Sequence, residues 1–317
     1  MAHSKLSANT PLERWPSLDF DAWKDTYATL HMWTQMVGKI RLVQTPWVNH
    51  SWHVVFYVTA RGLTTSPIPY GERTFQIDFD FIDHLLLIQT NDGAVRTMKL
   101  LPCSVADFYE ALLTNLAELG LYVKIHTTPN EIADAIPFEK DHQHASYDAE
   151  YANRFWRVLV QADRVFKQFR ARFNGKCSPV HFFWGSFDLA VTRFSGRLAP
   201  EHPGGIPNFP DRVAREAYSH ELSSCGFWPG GGPVPYPVFY AYAYPEPVGF
   251  SAAPIRPDGA VYNATLREFI LPYDVVRQAE SPDAVLLDFL QSSFEAAASL
   301  SAWDRSVFEW TAAISNP

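Results

Sequence analysis

The chain has 317 residues, and its 34 acidic against 26 basic side chains give a formal charge of −8 with lysines and arginines spread along the sequence; without a basic stripe, a nucleic-acid backbone is not an expected partner. No run approaches 18 consecutive apolar residues, so no membrane-spanning helix and no membrane partner are expected, and the opening "MAHSKLSANTPLERWP" lacks an apolar signal core. Three scattered cysteines, Cys103, Cys177 and Cys225, do not make a disulfide framework, so a reduced, cytoplasmic protein is the expectation.

A tail over residues 1–15 precedes a first unit over 16–125. Asp19 and Asp21 suit the first turn of a helix running to about Leu42, with Phe20, Trp23, Tyr27, Leu30 and Val37 at helical spacing. "SWHVVFYVTARG" reads as a strand rich in β-branched and aromatic residues. In "RTFQIDFDFIDH", Phe75, Ile77, Phe79 and Phe81 alternate with polar residues, as a half-buried strand does. "LLLIQT", "NDG" and "AVRTMKL" form a hairpin pattern. Ser104 and Asp107 then open a helix that Gly120 ends.

A connector over 126–147 leads to a second unit over 148–317 with the same order. Tyr151, Phe155, Leu159, Ala162, Phe166, Phe169 and Phe173 mark a long amphipathic helix. "PVHFFWGSFDLAVTRFSG" reads as one long strand, and its "VTRFSG" matches "VTARG" of the first unit, placing Arg193 where Arg61 stood. "AREAYSHELSSCGFW", "PVFYAYAYPEP" and "EFILPYDVV" are further strand candidates, and Ser281–Pro282 is an N-cap and N1 pair for the last helix. Residues 200–260 hold 12 of the 24 prolines and 8 of the 16 glycines; this marks a long Pro/Gly-rich insertion over about 197–262, read as an ordered lid. The expected fold is α+β, two similar helix–antiparallel-meander–helix units.

The stretches "WPSLDFDAWKDTYATLHMWTQMVGKIRL", "PWVNHSWHVVFYVTARGLTTSPIPYG", "GKCSPVHFFWGSFDLAVTRFSGR" and "EAYSHELSSCGFWPGGG" resemble, over nearly the whole length, an uncharacterised bacterial family catalogued as a domain of unknown function. The resemblance implies a stand-alone bacterial protein and carries no activity or site residue with it.

The chemistry must therefore be read from the residues. In an uninterrupted strand His181 and Asp188 point to opposite faces; a bulge at Gly185 would bring them to one. On the next strand candidate, Tyr218 and His220 share a face and Glu221 and Cys225 the other. If the two strands pair, His181, Asp188, His220 and Glu221 become catalytic candidates for acid–base work. His181, His220 and Glu221 are also the ligand types of a divalent metal site, although no diagnostic spacing accompanies them. Trp184, Tyr218, Cys225, Phe227 and Trp228 would line the cleft, and Arg193 would clamp a carboxylate or close a structural ion pair. His142 and His144, His50 and His53, and the run containing Asp78, Asp80 and Asp83 are weaker concentrations, equally suited to capping or solvated roles. Two functions fit: a small-molecule enzyme using histidine–carboxylate acid–base or metal-assisted chemistry in an aromatic cleft of the second unit, or a non-catalytic small-molecule-binding protein whose histidines are structural.

Overall fold

The structure is a computed structural model that describes residues 13–309. Asp19 accepts from the Asp21 N–H to start helix α1 (Phe20–Gln44), which is buried without interruption from Thr29 to Arg41. A helix covered on all sides runs through a protein's interior rather than over its surface. Strands β1 (Tyr57–Val58), β2 (Gly62–Thr64), β3 (Ile68–Tyr70), β4 (Arg73–Asp80), β5 (Leu85–Thr90) and β6 (Val95–Lys99) follow as an antiparallel sheet, ordered β1-β2-β4-β5-β6 with β3 also on β4. Phe75, Ile77 and Phe79 of β4 are buried, as their alternation requires. The Ser104 hydroxyl accepts from the Asp107 N–H at 3.1 Å and donates to its carboxylate at 2.6 Å, opening α2 (Val105–Glu118).

In the C-terminal half, Asp148 caps α3 (Ala149–Ala171). The chain continues through β7 (His181–Phe183), β8 (Asp188–Leu198), α4 (Asp211–Ala217), β9 (His220–Trp228), β10 (Val238–Tyr244), β11 (Val261–Asn263), β12 (Glu268–Pro272), α5 (Tyr273–Arg277), α6 (Pro282–Leu300) and α7 (Arg305–Phe308). Its antiparallel sheet runs β11-β12-β10-β9-β8-β7. The fold is α+β. Both halves place a sheet between helices in sequence, but their strand orders and strand lengths differ. No helix among the described residues is long and apolar enough to cross a membrane.

Several local expectations change. "SWHVVFYVTARG" yields the two-residue β1 and the first residue of β2 in place of one strand, and its start lies in a 3-10 turn over residues 49–51 with His50 and Ser51 at positive φ. "AREAYSHELSSCGFW" is half helix, α4, before it becomes β9, and "EFILPYDVV" turns from β12 into α5 after Pro272. Pro272 brings no N–H to a ladder, which suits a strand end. Pro282 holds the first position of α6, but the Ser281 side chain makes no capping bond. The Pro/Gly-rich stretch holds α4, β9 and β10, so two inner strands of the second sheet lie within it.

Main-chain bonds between Phe56 and Phe182, at 2.9 and 2.8 Å, join the two sheets edge to edge. One continuous hydrophobic core runs from Trp15 through both halves to Trp303. Arg193 lies within it. Its side chain leaves the side of β8 that faces α3 and α6, stacks 3.4 Å from the Phe169 ring centroid and 4.3 Å from that of Phe294, and donates to the Phe169 carbonyl. It therefore clamps no ligand, and it does not match Arg61, an exposed residue paired with Asp80 and Asp83 at 2.6 Å each. Arg193 Nε and Nη1 have no acceptor, so the side chain contributes through its packed, ring-stacked guanidinium and one main-chain bond rather than through an ion pair. Arg193→Ala should destabilise the protein by about 3 kcal/mol in urea unfolding and Arg193→Met by less than half of that.

Candidate functional site

The run "HFFWGSFD" is neither a single strand nor a bulged one. It is a hairpin: β7 and β8 pair Phe183 with Asp188 and His181 with Ala190, and Trp184-Gly185-Ser186-Phe187 form the loop. Phe187 takes a left-handed φ of 59° to close it. Reversal of the chain puts His181 and Asp188 on the same face, at diagonal positions roughly 7–8 Å apart with the Cβ atoms somewhat closer. The loop is pinned from the N-terminal half. Trp184 Nε1 donates to the Val54 carbonyl at 2.8 Å, His31 Nε2 meets the Gly185 carbonyl at 2.8 Å, and the indole lies so close over Gly38 that any Cβ there would overlap it.

That face of the second sheet carries His181 and Phe183 from β7, Asp188, Ala190 and Thr192 from β8, Ser224 and Gly226 from β9, Tyr240 and Tyr242 from β10, and Glu268 from β12, by the strand registers. It looks onto two cavities, of about 570 and 560 Å³, which share a wall made of Glu131, Gly185, Ser186, Asp188, Tyr218, Tyr240 and Tyr242. The first is lined by His181, Lys39 and Arg212 as well, the second by Tyr27, His31, Trp228 and Glu268. The roof comes from two loops. Glu131 N–H donates to the Pro207 carbonyl at 2.9 Å, Asn130 to the Asn208 carbonyl at 2.7 Å, and Asn208 to the Ile132 carbonyl at 2.6 Å. Lys39 and Gln35 of α1 both hold Asn130 from below.

Asp188 is the centre of this wall. Tyr240 donates to its Oδ2, while its buried Oδ1 has no partner in the chain. Burial, opposed by the Tyr240 bond and reinforced by Glu131, pushes the carboxyl up to about 7. Burial and the charge of Asp188 push Glu268 up to about 8. Glu131, whose carboxylate accepts from Ser186 Oγ at 2.7 Å, is raised by burial too; its φ of 62° is unusual for a non-glycine residue and aims it over Gly185. Tyr218 and Tyr242 share a hydroxyl–hydroxyl bond of 3.0 Å. His181 is fully buried with both ring nitrogens unpartnered, and burial, then Arg170 and Arg41, pull it down to about 3.

The remaining candidates divide by strand parity. Trp184 and Tyr218 line the first cavity and Trp228 the second. Cys225 and Phe227 point the other way, into the helix-facing core, where Phe227 packs on Phe239 and Tyr273 and burial raises the Cys225 thiol. His220, opposite Leu198, lies six positions along β9 from Gly226, the residue level with Ala190 and His181. That is roughly 20 Å along the strand. Its Nδ1 meets Ser219 Oγ. Glu221 faces the helices and is bound by Ser195 and Arg197 at 3.0 and 2.6 Å. The expected convergence of His220 and Glu221 with His181 does not occur, and no group of three or more His, Cys, Asp or Glu with metal-binding geometry exists among the described residues. Of the weaker concentrations, His144 bonds Asp141 at 2.7 Å on the rim of the second cavity. His50 lies against the Ala217 carbonyl at 3.0 Å.

Glu131, Tyr240, Tyr242 and Glu268 are the residues sequence reasoning missed. "VFYAYAY" did carry a signal, since tyrosines two apart on a strand share a face. Glu131 had none, because its position depends on two loops meeting.

These buried acids make stability depend on pH. Above pH 7 the histidines, ordinarily near 6.5, are largely neutral whether folded or unfolded, whereas unfolded carboxyls are ionised and folded Asp188 and Glu268 still hold protons. Their stabilising share is complete below about pH 4 and is lost as pH rises through 7 and 8. Lys39, lowered to about 8, acts in the opposite sense mainly above that pH. Unfolding free energy should fall by about 1 kcal/mol between pH 7 and 8 in urea titrations, and Asp188→Asn should flatten that slope.

A family model of unknown function, DUF5996, matches residues 15–310. No curated protein and no solved structure matches the chain. The matched span takes in both sheets, both cavities and all but the first two residues of the described structure. The chain belongs to the family of unknown function DUF5996.

Proposed function

We propose that the protein is an enzyme that moves a proton on or off a small organic molecule held in the cavities beside Asp188. The observation that carries this reading is Asp188 itself: a buried carboxyl with one oxygen set by Tyr240 and the other unpartnered on the wall of two cavities. The large majority of buried polar atoms are hydrogen-bonded, and an unpaired carboxyl oxygen in the interior costs stability unless a ligand or a water completes it.

The environment then assigns roles. Near pH 7 Asp188 is divided between acid and carboxylate, which suits a group that both gives and takes a proton. His181 remains a neutral imidazole at that pH, able to accept a hydrogen bond from the ligand without adding charge. The two groups titrate in the reverse of their ordinary order because the same desolvation penalises the charged form of each. Tyr240 orients the carboxyl, and Trp184, Tyr218 and Trp228 supply apolar area for the ligand body. The likeness to a bacterial family supports a bacterial source for the chain.

The test needs no prior substrate. Purified protein incubated with a metabolite extract, followed by mass spectrometry or deuterium incorporation from heavy water, should change or label at least one compound. Asp188→Asn should slow that conversion by about 10²–10⁴-fold, and Tyr240→Phe by less. An extract left unchanged and unlabelled by the wild-type protein, or conversion that persists at full rate in folded Asp188→Asn, overturns the enzyme. A compound that is retained but never converted identifies a binding protein instead.

A further inference from the structure

The second cavity has a chemical bias that the first lacks. Asp188, Glu131 and Glu268 lie on its wall and Asp134 and Asp141 at its edge, whereas no lysine or arginine among the described residues lines it. The first cavity, across the shared wall, carries Lys39 and Arg212. The basic groups of the second cavity are the imidazoles of His31, which holds the Gly185 carbonyl, and His144, which bonds Asp141; Asp188, Glu131 and Glu268 have no basic partner there and, gathered in the interior, repel one another and lose hydration. Acidic residues alone would say little, but Asp188 is only 7% exposed and its Oδ1 has no partner. Aromatic side chains complete the lining: Trp228, Tyr240 and Tyr242 from one face of the sheet, the last two with roughly parallel rings whose centroids are 6.1 Å apart, and Tyr27 from α1. Carboxylates to accept N–H bonds and π faces to meet the surrounding positive charge are the two features that recognise an organic cation.

We propose that the second cavity binds the ammonium group of a cationic amine, with Asp188 and Glu268 as its carboxylate partners and Trp228 and Tyr27 as its aromatic walls. This rests on the reading of Asp188 as the proton-moving group and narrows its substrate to amines. Binding draws Asp188 into its ionised form, so an N–H of the ligand bonds Oδ1 while the carboxyl proton leaves to solvent. No bond to carbon or nitrogen is made or broken in that event. An alcohol of the same shape gains no such ion pair, and a carboxylate meets like charge.

The full chain is titrated calorimetrically at pH 6.5 with 2-phenylethylammonium, 2-phenylethanol and 3-phenylpropanoate, in buffers of differing ionisation enthalpy. The amine should bind at least about tenfold tighter than the alcohol and the carboxylate, with net proton release to buffer. Asp188→Asn should reduce that release to the part Glu268 supplies, and Glu268→Gln, at a half-buried position that tolerates an isosteric change, should weaken amine binding by about tenfold without shifting the melting temperature. No amine binding at millimolar concentration, equal or tighter binding of either other probe, or unchanged amine affinity in Glu268→Gln overturns the proposal. Amine binding without any Asp188-dependent conversion in the extract overturns the enzyme and leaves the amine site standing. Conversion confined to neutral or anionic compounds does the reverse.

Discussion

The pair of main-chain hydrogen bonds between Phe56 and Phe182 is the constraint from which the rest of the arrangement follows. Those bonds fix β7 against the edge of the first sheet, and the loop after β7 must then lie beneath the buried helix α1. There it is held by His31, by Val54 through Trp184, and by the edge-on contact of Phe187 with Tyr27 at 5.1 Å. Asp188 is the first residue of the returning strand, so its depth in the protein is inherited from that seam. A carboxyl set into the wall between two hollows is a consequence of joining two sheets edge to edge and running a helix over the join.

Interior polarity follows the same logic. α1 is buried through residues as polar as His31, Gln35, Lys39 and Arg41, which a helix in an ordinary core would not carry. Here each has work to do: His31 holds the hairpin loop, Gln35 and Lys39 hold Asn130 of the roof, and Arg41 donates to the His53 carbonyl at 2.7 Å. Arg41 keeps one nitrogen without an acceptor, and the unpaired buried atoms on residues that line the first cavity are those of His181, Asp188 and the Ser51 hydroxyl.

Local chemistry made much of this legible. Caps at Asp19, Ser104 and Asp148, the alternation through Phe75, Ile77 and Phe79, and the turn at Asn91–Gly93 each reflect interactions within a few residues, and sequence shows those directly. His181 and Asp188 stood out for the same reason, since two polar side chains in an apolar run demand an explanation. What stayed hidden depends on distant partners. A hairpin in "HFFWGSFD" is disguised because its loop, Trp-Gly-Ser-Phe, is as aromatic as its strands; the large rings are there to pack under α1, not to form a turn. His220 and Cys225 attract attention by residue type, yet strand register sends one toward the far end of β9 and the other into the helix-facing core. Glu131 is drawn to Asp188 only because loops 76 to 78 residues apart in sequence bond to each other.

Gly226 of β9 brings a last consequence. A Cβ there would overlap the Leu189 carbonyl and the Tyr240 hydroxyl, so the phenol rests directly on bare backbone, and that is where it reaches Asp188. The acid's partner is thereby seated by a missing carbon atom and has no freedom to swing aside. Order of this kind is installed once, when the chain folds, and a guest entering later spends none of its affinity on arranging its host.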